Sequence, residues 1–258
     1  MFLFGLGLGQ DVIPFFSRRI GLVKESSVPI IAGGKVNGRT SHTNIGGLVA
    51  ATNEKPGIVE DPAAMAVGRV KQNVGDESWI GAIATVGDPI GRSGSWLGGA
   101  DFTYSTSQFR GDKNLRAGLW GLATGRDDIT GTDRTAAGFK IDFTNDSWDI
   151  GVTGKRIGAD FDPSLGFVPR RGVFLYSGNI NNRQRTKVAV QQLTHEFEPS
   201  LATDLSGRWE SYRVFTAPIN WRFRSGERLE FNVVPTGDRP NTPFEVADDV
   251  VIAPGPYR

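Results

Sequence analysis

Two histidines, no cysteine and twenty-eight carboxylates bound the chemistry open to this chain. His195-Glu196 begins as a zinc-protease helix motif does. Pro199 then occupies the position of the second histidine, so the pair of ligands is incomplete. His42 and His195 are read as loop or lumen residues. Gly5, Gly7 and Gly9 are spaced like part of a dinucleotide loop, but no helix or second βα unit follows, and they read as turn or linker. Gly91, Ser93 and Gly94 are mis-spaced for a nucleophile elbow. Asp101, Asp142 and Asp149 fall on segments that adjacent strands would bring near one another, as in a glycosidase acid pair. Lys140, Lys155 and Arg116 lie on neighbouring segments, so salt bridging accounts for these acids better than catalysis. No catalytic group, metal ligand or cofactor is expected, and an enzyme is the less favoured reading.

The cations of the first third carry more. Arg18, Arg19, Arg39 and Arg69, with Lys35 and Lys71, are the candidates for solute binding. On neighbouring strands they would project into one space and create a positive field that favours anionic solutes or sugar hydroxyls. The other reading is an internal ladder of ion pairs, although that third of the chain holds too few acids to pair every cation.

The elements that position these residues are strands. From Ser95 to Gly158 four segments of about ten residues alternate apolar and polar side chains. Trp96, Ala100, Phe102 and Tyr104 oppose Asp101, Thr103, Ser105 and Ser107. Ala137, Phe139, Ile141 and Phe143 oppose Lys140, Asp142 and Thr144, and Trp148, Ile150 and Val152 oppose Asp149, Thr153 and Lys155. Before them, Pro29–Arg39 pairs with Thr43–Thr52, and Ala66–Gln72 with Ser78–Val86. Gln108–Asn114 and Arg126–Arg134 read as long polar loops, Asn145-Asp146 as a tight turn, and the stretch after Gly158 as a polar insertion. Strands are expected near Gly172–Ser177, Val188–Phe197 and Leu205–Phe215, with Asn181, Asn182, Arg183 and Arg185 in a loop. A last hairpin runs from Ile219 to Val233.

Composition agrees with an all-β chain: thirty-four glycines, two methionines and 38% hydrophobic residues over 258. A net charge of +1 with no basic block argues against a nucleic-acid partner. No run is long and apolar enough for a membrane-crossing helix, and Met1–Gly9 lacks the basic start and cleavage site of a signal peptide. Charge deep in the strands, aromatics towards strand ends and strands of about ten residues match a transmembrane barrel better than a soluble β-sandwich.

The residues Phe15-Phe16-Ser17-Arg18-Arg19-Ile20-Gly21, Val28-Pro29-Ile30, Gly33-Gly34-Lys35-Val36-Asn37-Gly38, Asn44-Ile45-Gly46, Gly68-Arg69-Val70 and Ile80-Gly81 carry a resemblance to a known family. So do Pro243-Phe244-Glu245-Val246 and Val251–Tyr257. They resemble the outer-membrane β-barrel domain of unknown function that follows a family 9 carbohydrate-binding-like module in Gram-negative envelope proteins. The resemblance implies the cell outer membrane as location and the lipid bilayer as partner, with glycans or small anionic solutes as further partners. It also implies that residues 1–258 form a single barrel domain, a fragment without the N-terminal module and the closing strands.

The expectation is therefore an all-β, antiparallel up-and-down transmembrane barrel of about fourteen strands, incomplete or open, acting as a channel or scaffold with a charged lumen. The alternatives are an envelope carbohydrate-binding or carbohydrate-active protein, and a soluble sandwich. Trp96, Phe102, Tyr104, Phe139, Phe143 and Trp148 are assigned to lipid, and Asp101, Lys140, Asp142 and Asp149 to the lumen.

Overall fold

A computed structural model of the chain describes residues 3–247 and 250–258. Met1 and Phe2 of the apolar N-terminal run lie outside them. After a short 3-10 turn at Ser17–Arg19 come β1 (Leu22–Val23) and β2 (Ser26–Ser27), a small hairpin. The main sheet is then laid down in sequence order: β3 (Ile30–Arg39), β4 (Thr43–Thr52), β5 (Ala63–Val74), β6 (Ser78–Val86), β7 (Trp96–Phe109), β8 (Lys113–Gly125), β9 (Thr135–Thr144), β10 (Trp148–Ile157), β11 (Val173–Arg185), β12 (Val190–Asp204), β13 (Trp209–Phe223) and β14 (Arg228–Val233). Each pairs with the next, and β15 (Thr236–Asp238) adds to β13, giving a 13-stranded up-and-down antiparallel sheet. A separate hairpin joins β16 (Phe244–Ala247) to β17 (Val250–Ile252). Among the described residues β3 and β14 stand at the ends of the strand order, so the sheet is not closed.

From β3 to β12 the connections alternate in length. Thr40–His42, Glu77 with its two predecessors, Arg110–Asp112, Asn145–Ser147 and Thr186–Ala189 are short, whereas 53–62, 87–95, 126–134 and 158–172 are long. Gln108–Asn114 is thus not a loop. β7 and β8 extend to a three-residue turn in which Arg110 (φ +51°) and Gly111 (φ +103°) reverse the chain. Its flanks are polar on both faces, so composition imitated a loop there. Asn181, Asn182, Arg183 and Arg185 likewise belong to β11, paired with Glu196, His195, Thr194 and Gln192. The expected strands at Leu205–Phe215 and from Ile219 are one strand, β13, which continues past Pro218. Both ladders slip near that residue, between Thr194 and Glu196 on one side and Thr216 and Ile219 on the other. A bulge accommodates a proline that has no N–H to donate.

The chain forms two compact units, described in turn. One comprises the chain through Thr106 with Arg116–Lys140 and Lys155–Gly172; the other comprises Ser107–Leu115, Ile141–Gly154 and Val173–Arg258. In the first, one face of the sheet is covered by the N-terminal segment. Phe4, Leu8 and Val12 are buried, Lys155 Nζ donates to Leu8 O at 2.9 Å, and Ile13 and Phe167 exchange backbone hydrogen bonds at 2.9 Å. Gly5 turns with φ +60° beneath the Trp120 indole, where a Cβ would come 2.8 Å from the ring. The 158–172 stretch is not a solvated insertion. Phe161 and Leu165 are fully buried, the latter in a cluster with Ala63 and Met65 backed by Phe15 and Ile20. In the second unit, β11, β12 and β13 form the longest ladders, and Asp142, Gly151 and Asn179 meet where a side chain on Gly151 would collide with both polar groups.

Phe161→Ala should lower unfolding stability by about 3–5 kcal/mol, the cost of emptying a fully buried aromatic site, as a shift in the denaturant midpoint at unchanged m-value.

Candidate functional site

The register of three ladders builds the inner face of the first unit. Asn44 lies opposite Lys71, Lys71 opposite Gly81, and Gly81 opposite Asp101; one step along, Gly46 faces Arg69 and Arg69 faces Ile83. Because strand side chains alternate, Ala63, Met65, Val67, Arg69 and Lys71 all point to this face. The first three are buried and apolar; the charged pair follows them. The inner face is therefore zoned. It is apolar towards the long loops and charged towards the short turns.

Arg69 is the best-held cation. Its guanidinium is 2.6 Å from Asp101, with side chains only 4% and 1% exposed, and its Nε donates to Leu3 O at 3.2 Å. The Phe4 ring lies 4.9 Å from its Cζ. Room for the guanidinium comes from Gly81, where a Cβ would sit 2.4 Å from Nη1. Lys71 lies one pleat further along, its ammonium 3.8 Å from the centroid of Trp79, a cation–π contact. A cleft of about 590 Å³ opens here, lined by Arg39, Arg69, Lys71, Trp79, Asp101 and the backbone turn at Leu3–Leu6.

Of the six cations singled out by sequence, Arg39, Arg69 and Lys71 share this cleft. Lys35 lines a different groove with Ser17, Ile20 and Leu48. Arg18 and Arg19 are exposed on the 3-10 turn rather than on a strand, and Arg19 Nε donates to Gly166 O at 3.2 Å. Arg69 follows the ion-pair reading; for Arg39 and Lys71 no ion pair is found among the described residues. Asp101 pairs with Arg69, not with Lys140, Lys155 or Arg116, and Lys155 binds Asp11 at 2.5 Å. Asp149 accepts from Thr144 Oγ1 at 2.9 Å. His195 Nδ1 lies 2.7 Å from Pro218 O, and His42 Nδ1 2.8 Å from Ser41 Oγ. The N-terminal segment was missed as part of the site. Period-two counting assigns strand faces but carries no information about which segment covers them.

A second polar cluster ties the long loops together. Arg126, 6% exposed, donates from Nε to Asp128 at 2.5 Å, from Nη2 to Asp162 at 2.9 Å and from Nη1 to Ser164 Oγ at 3.3 Å. Burial disfavours its charge, but the Asp128 and Asp162 carboxylates outweigh that and hold its pKa above the ordinary value. Asp88 receives Arg92 Nε and the Ile90 N–H, both at 2.8 Å. Burial raises its pKa; hydrogen bonds from Arg92, Ser164 and Ile90 overcome this and hold the carboxyl below its ordinary range.

No family model, curated protein or solved structure matches this chain.

Asp101→Ala leaves Arg69 buried without its counter-charge and should cost about 3–5 kcal/mol. The pair replacement Arg69→Met with Asp101→Leu should cost less, and comparing unfolding midpoints of the variants checks this. Asp88 has a folded pKa below its unfolded one, so it stabilises the fold above the unfolded value, and that stability is lost as pH falls through the folded value. Asp88→Asn should therefore flatten the acid limb of stability against pH, read by limited proteolysis of the 87–95 loop.

Proposed function

We propose that this chain is the wall of a Gram-negative outer-membrane β-barrel, acting as a channel or scaffold with a cationic inner face. The observation that carries this reading is the outer face of the sheet. Along β7, Trp96, Phe102 and Tyr104 are 36–46% exposed, while Leu97, Asp101 and Thr103 between them are at most 2% exposed. Val36, Ile45, Val49, Val70, Ile80 and Val86 continue the exposed apolar positions on β3 to β6; Leu119, Phe139, Ile141, Trp148, Ile150 and Val152 do so on β8 to β10. Phe143 is half-buried, edge-on to Phe109 at 6.2 Å. An apolar surface of this extent is unstable in water and suited to hydrocarbon.

Strand length is a second support. The four strands β7, β8, β11 and β12 run to 14, 13, 13 and 15 residues, above the roughly 9–11 that a tilted bilayer span requires. A soluble sandwich would cover the apolar face with a second sheet, and the other sheets of the described residues have two strands each. The likeness of the opening residues to an outer-membrane barrel domain points the same way.

The full-length protein should sediment with outer membranes; recovery in the soluble periplasmic fraction would overturn the reading. In planar bilayers a channel should conduct and a scaffold should not. In the channel case, Lys71→Glu should shift selectivity from anions towards cations, as measured by reversal potential in a salt gradient.

A further inference from the structure

We propose that Arg39 and Lys71 form a binding site for a small polyvalent oxyanion, a solute bearing at least two negative charges on phosphate or carboxylate groups. This rests on the inner face being a lumen, and names what that lumen selects. The charged groups that line the cleft are Arg39, Arg69 and Lys71 and a single carboxylate, Asp101. That carboxylate is committed at 2.6 Å to Arg69. The cleft therefore carries two cations beyond the neutral pair. Among the described residues neither of the two has an ion-pair partner.

Their placement is ordered by the strands. Arg39 faces Asn44 across β3 and β4, and Asn44 faces Lys71 across β4 and β5. The amides of Asn37 and Asn44 line the same cleft and are uncommitted to protein partners, so neutral donors flank the cations. Trp79 holds the Lys71 ammonium by its ring face, restricting a side chain that would otherwise lose rotamer freedom on binding. Leu3, Phe4 and Leu6 form an apolar wall on one side, which lowers the local dielectric and strengthens each charge contact. Like-charged groups gathered without counter-ions repel one another, and a polyvalent anion relieves that repulsion where chloride would relieve only part of it. The requirement for two or more charges follows from the count of uncompensated cations.

Calorimetric titration of the detergent-solubilised protein with inorganic pyrophosphate and with citrate tests the site. Saturable binding at millimolar concentration or below is expected, resistant to an equal concentration of chloride. Lys71→Gln and Arg39→Gln should each weaken it by about tenfold, the scale of one charge-assisted hydrogen bond. Lys187→Gln, an exposed cation in the Thr186–Ala189 turn, should leave it unchanged. Circular dichroism establishes that each variant is folded, and exposed Arg39 supplies a substitution that spares the buried core. Absence of saturable binding by the folded wild type, or equal weakening by Lys187→Gln, overturns the site. Binding by a protein that does not sediment with membranes removes the lumen and keeps the site. Membrane insertion without binding does the reverse.

Discussion

Pairing of β4, β5, β6 and β7 puts Lys71 opposite Gly81 and Gly81 opposite Asp101, and a slip of one residue in any of these ladders would turn Arg69 outward among Val70, Ile80 and Phe102. Strand periodicity leaves no intermediate position. The apolar outer positions and the charged inner ones are therefore one constraint seen from two sides. Each wrong register would at once bury a cation among aliphatic groups and expose Met65 and Val67. The penalty for both errors makes the native pairing the one arrangement in which Arg69 meets a carboxylate.

That carboxylate matters because the pair is sealed. In a setting this dry a guanidinium needs both its counter-ion and further acceptors, and Arg69 finds them in Asp101 and the Leu3 carbonyl. Gly81 supplies the volume. Three features that look unrelated in sequence, an arginine, a glycine twelve residues on and an aspartate twenty residues after that, are neighbours on successive strands. By contrast Lys71, one pleat away, has an indole face and no acid. The inner face thus separates a closed ion pair, which braces the sheet, from an open group of cations.

Much of this was legible in the residues. Alternation placed Trp96, Phe102 and Tyr104 on the exposed face of β7 and Asp101 and Thr103 on its buried face, because apolar and polar types there coincide with the two faces. It also put Arg69 and Lys71 opposite Ala66, Gly68 and Val70. It failed where both faces are polar, at Gln108–Asn114 and Asn181–Arg185, since composition then carries no contrast between strand and loop. It failed at Pro218, because a bulge absorbs what ordinarily ends a strand. It failed also for 158–172, whose aspartates and prolines suggested solvent although Phe161 and Leu165 are buried. Which acid serves which cation was beyond it, because ion pairing depends on register across strands rather than order along them. Arg18 and Arg19 were drawn into the site by charge alone, and a 3-10 turn carries them elsewhere.

The N-terminal segment crosses the inner face under two cations that grip it chiefly by main chain: Arg69 by the Leu3 carbonyl and Lys155 by the Leu8 carbonyl. A carbonyl is offered by every residue type. Beside the Lys155–Asp11 ion pair, these two carbonyl contacts are blind to side-chain identity and sensitive to path length, because the two anchoring carbonyls must reach two fixed cations. Substitutions between them are filtered by the glycine turn under Trp120 and by the fit of Leu6 and Leu8, whereas a single inserted or deleted residue would throw both anchors out of phase together. The segment is measured more than it is read.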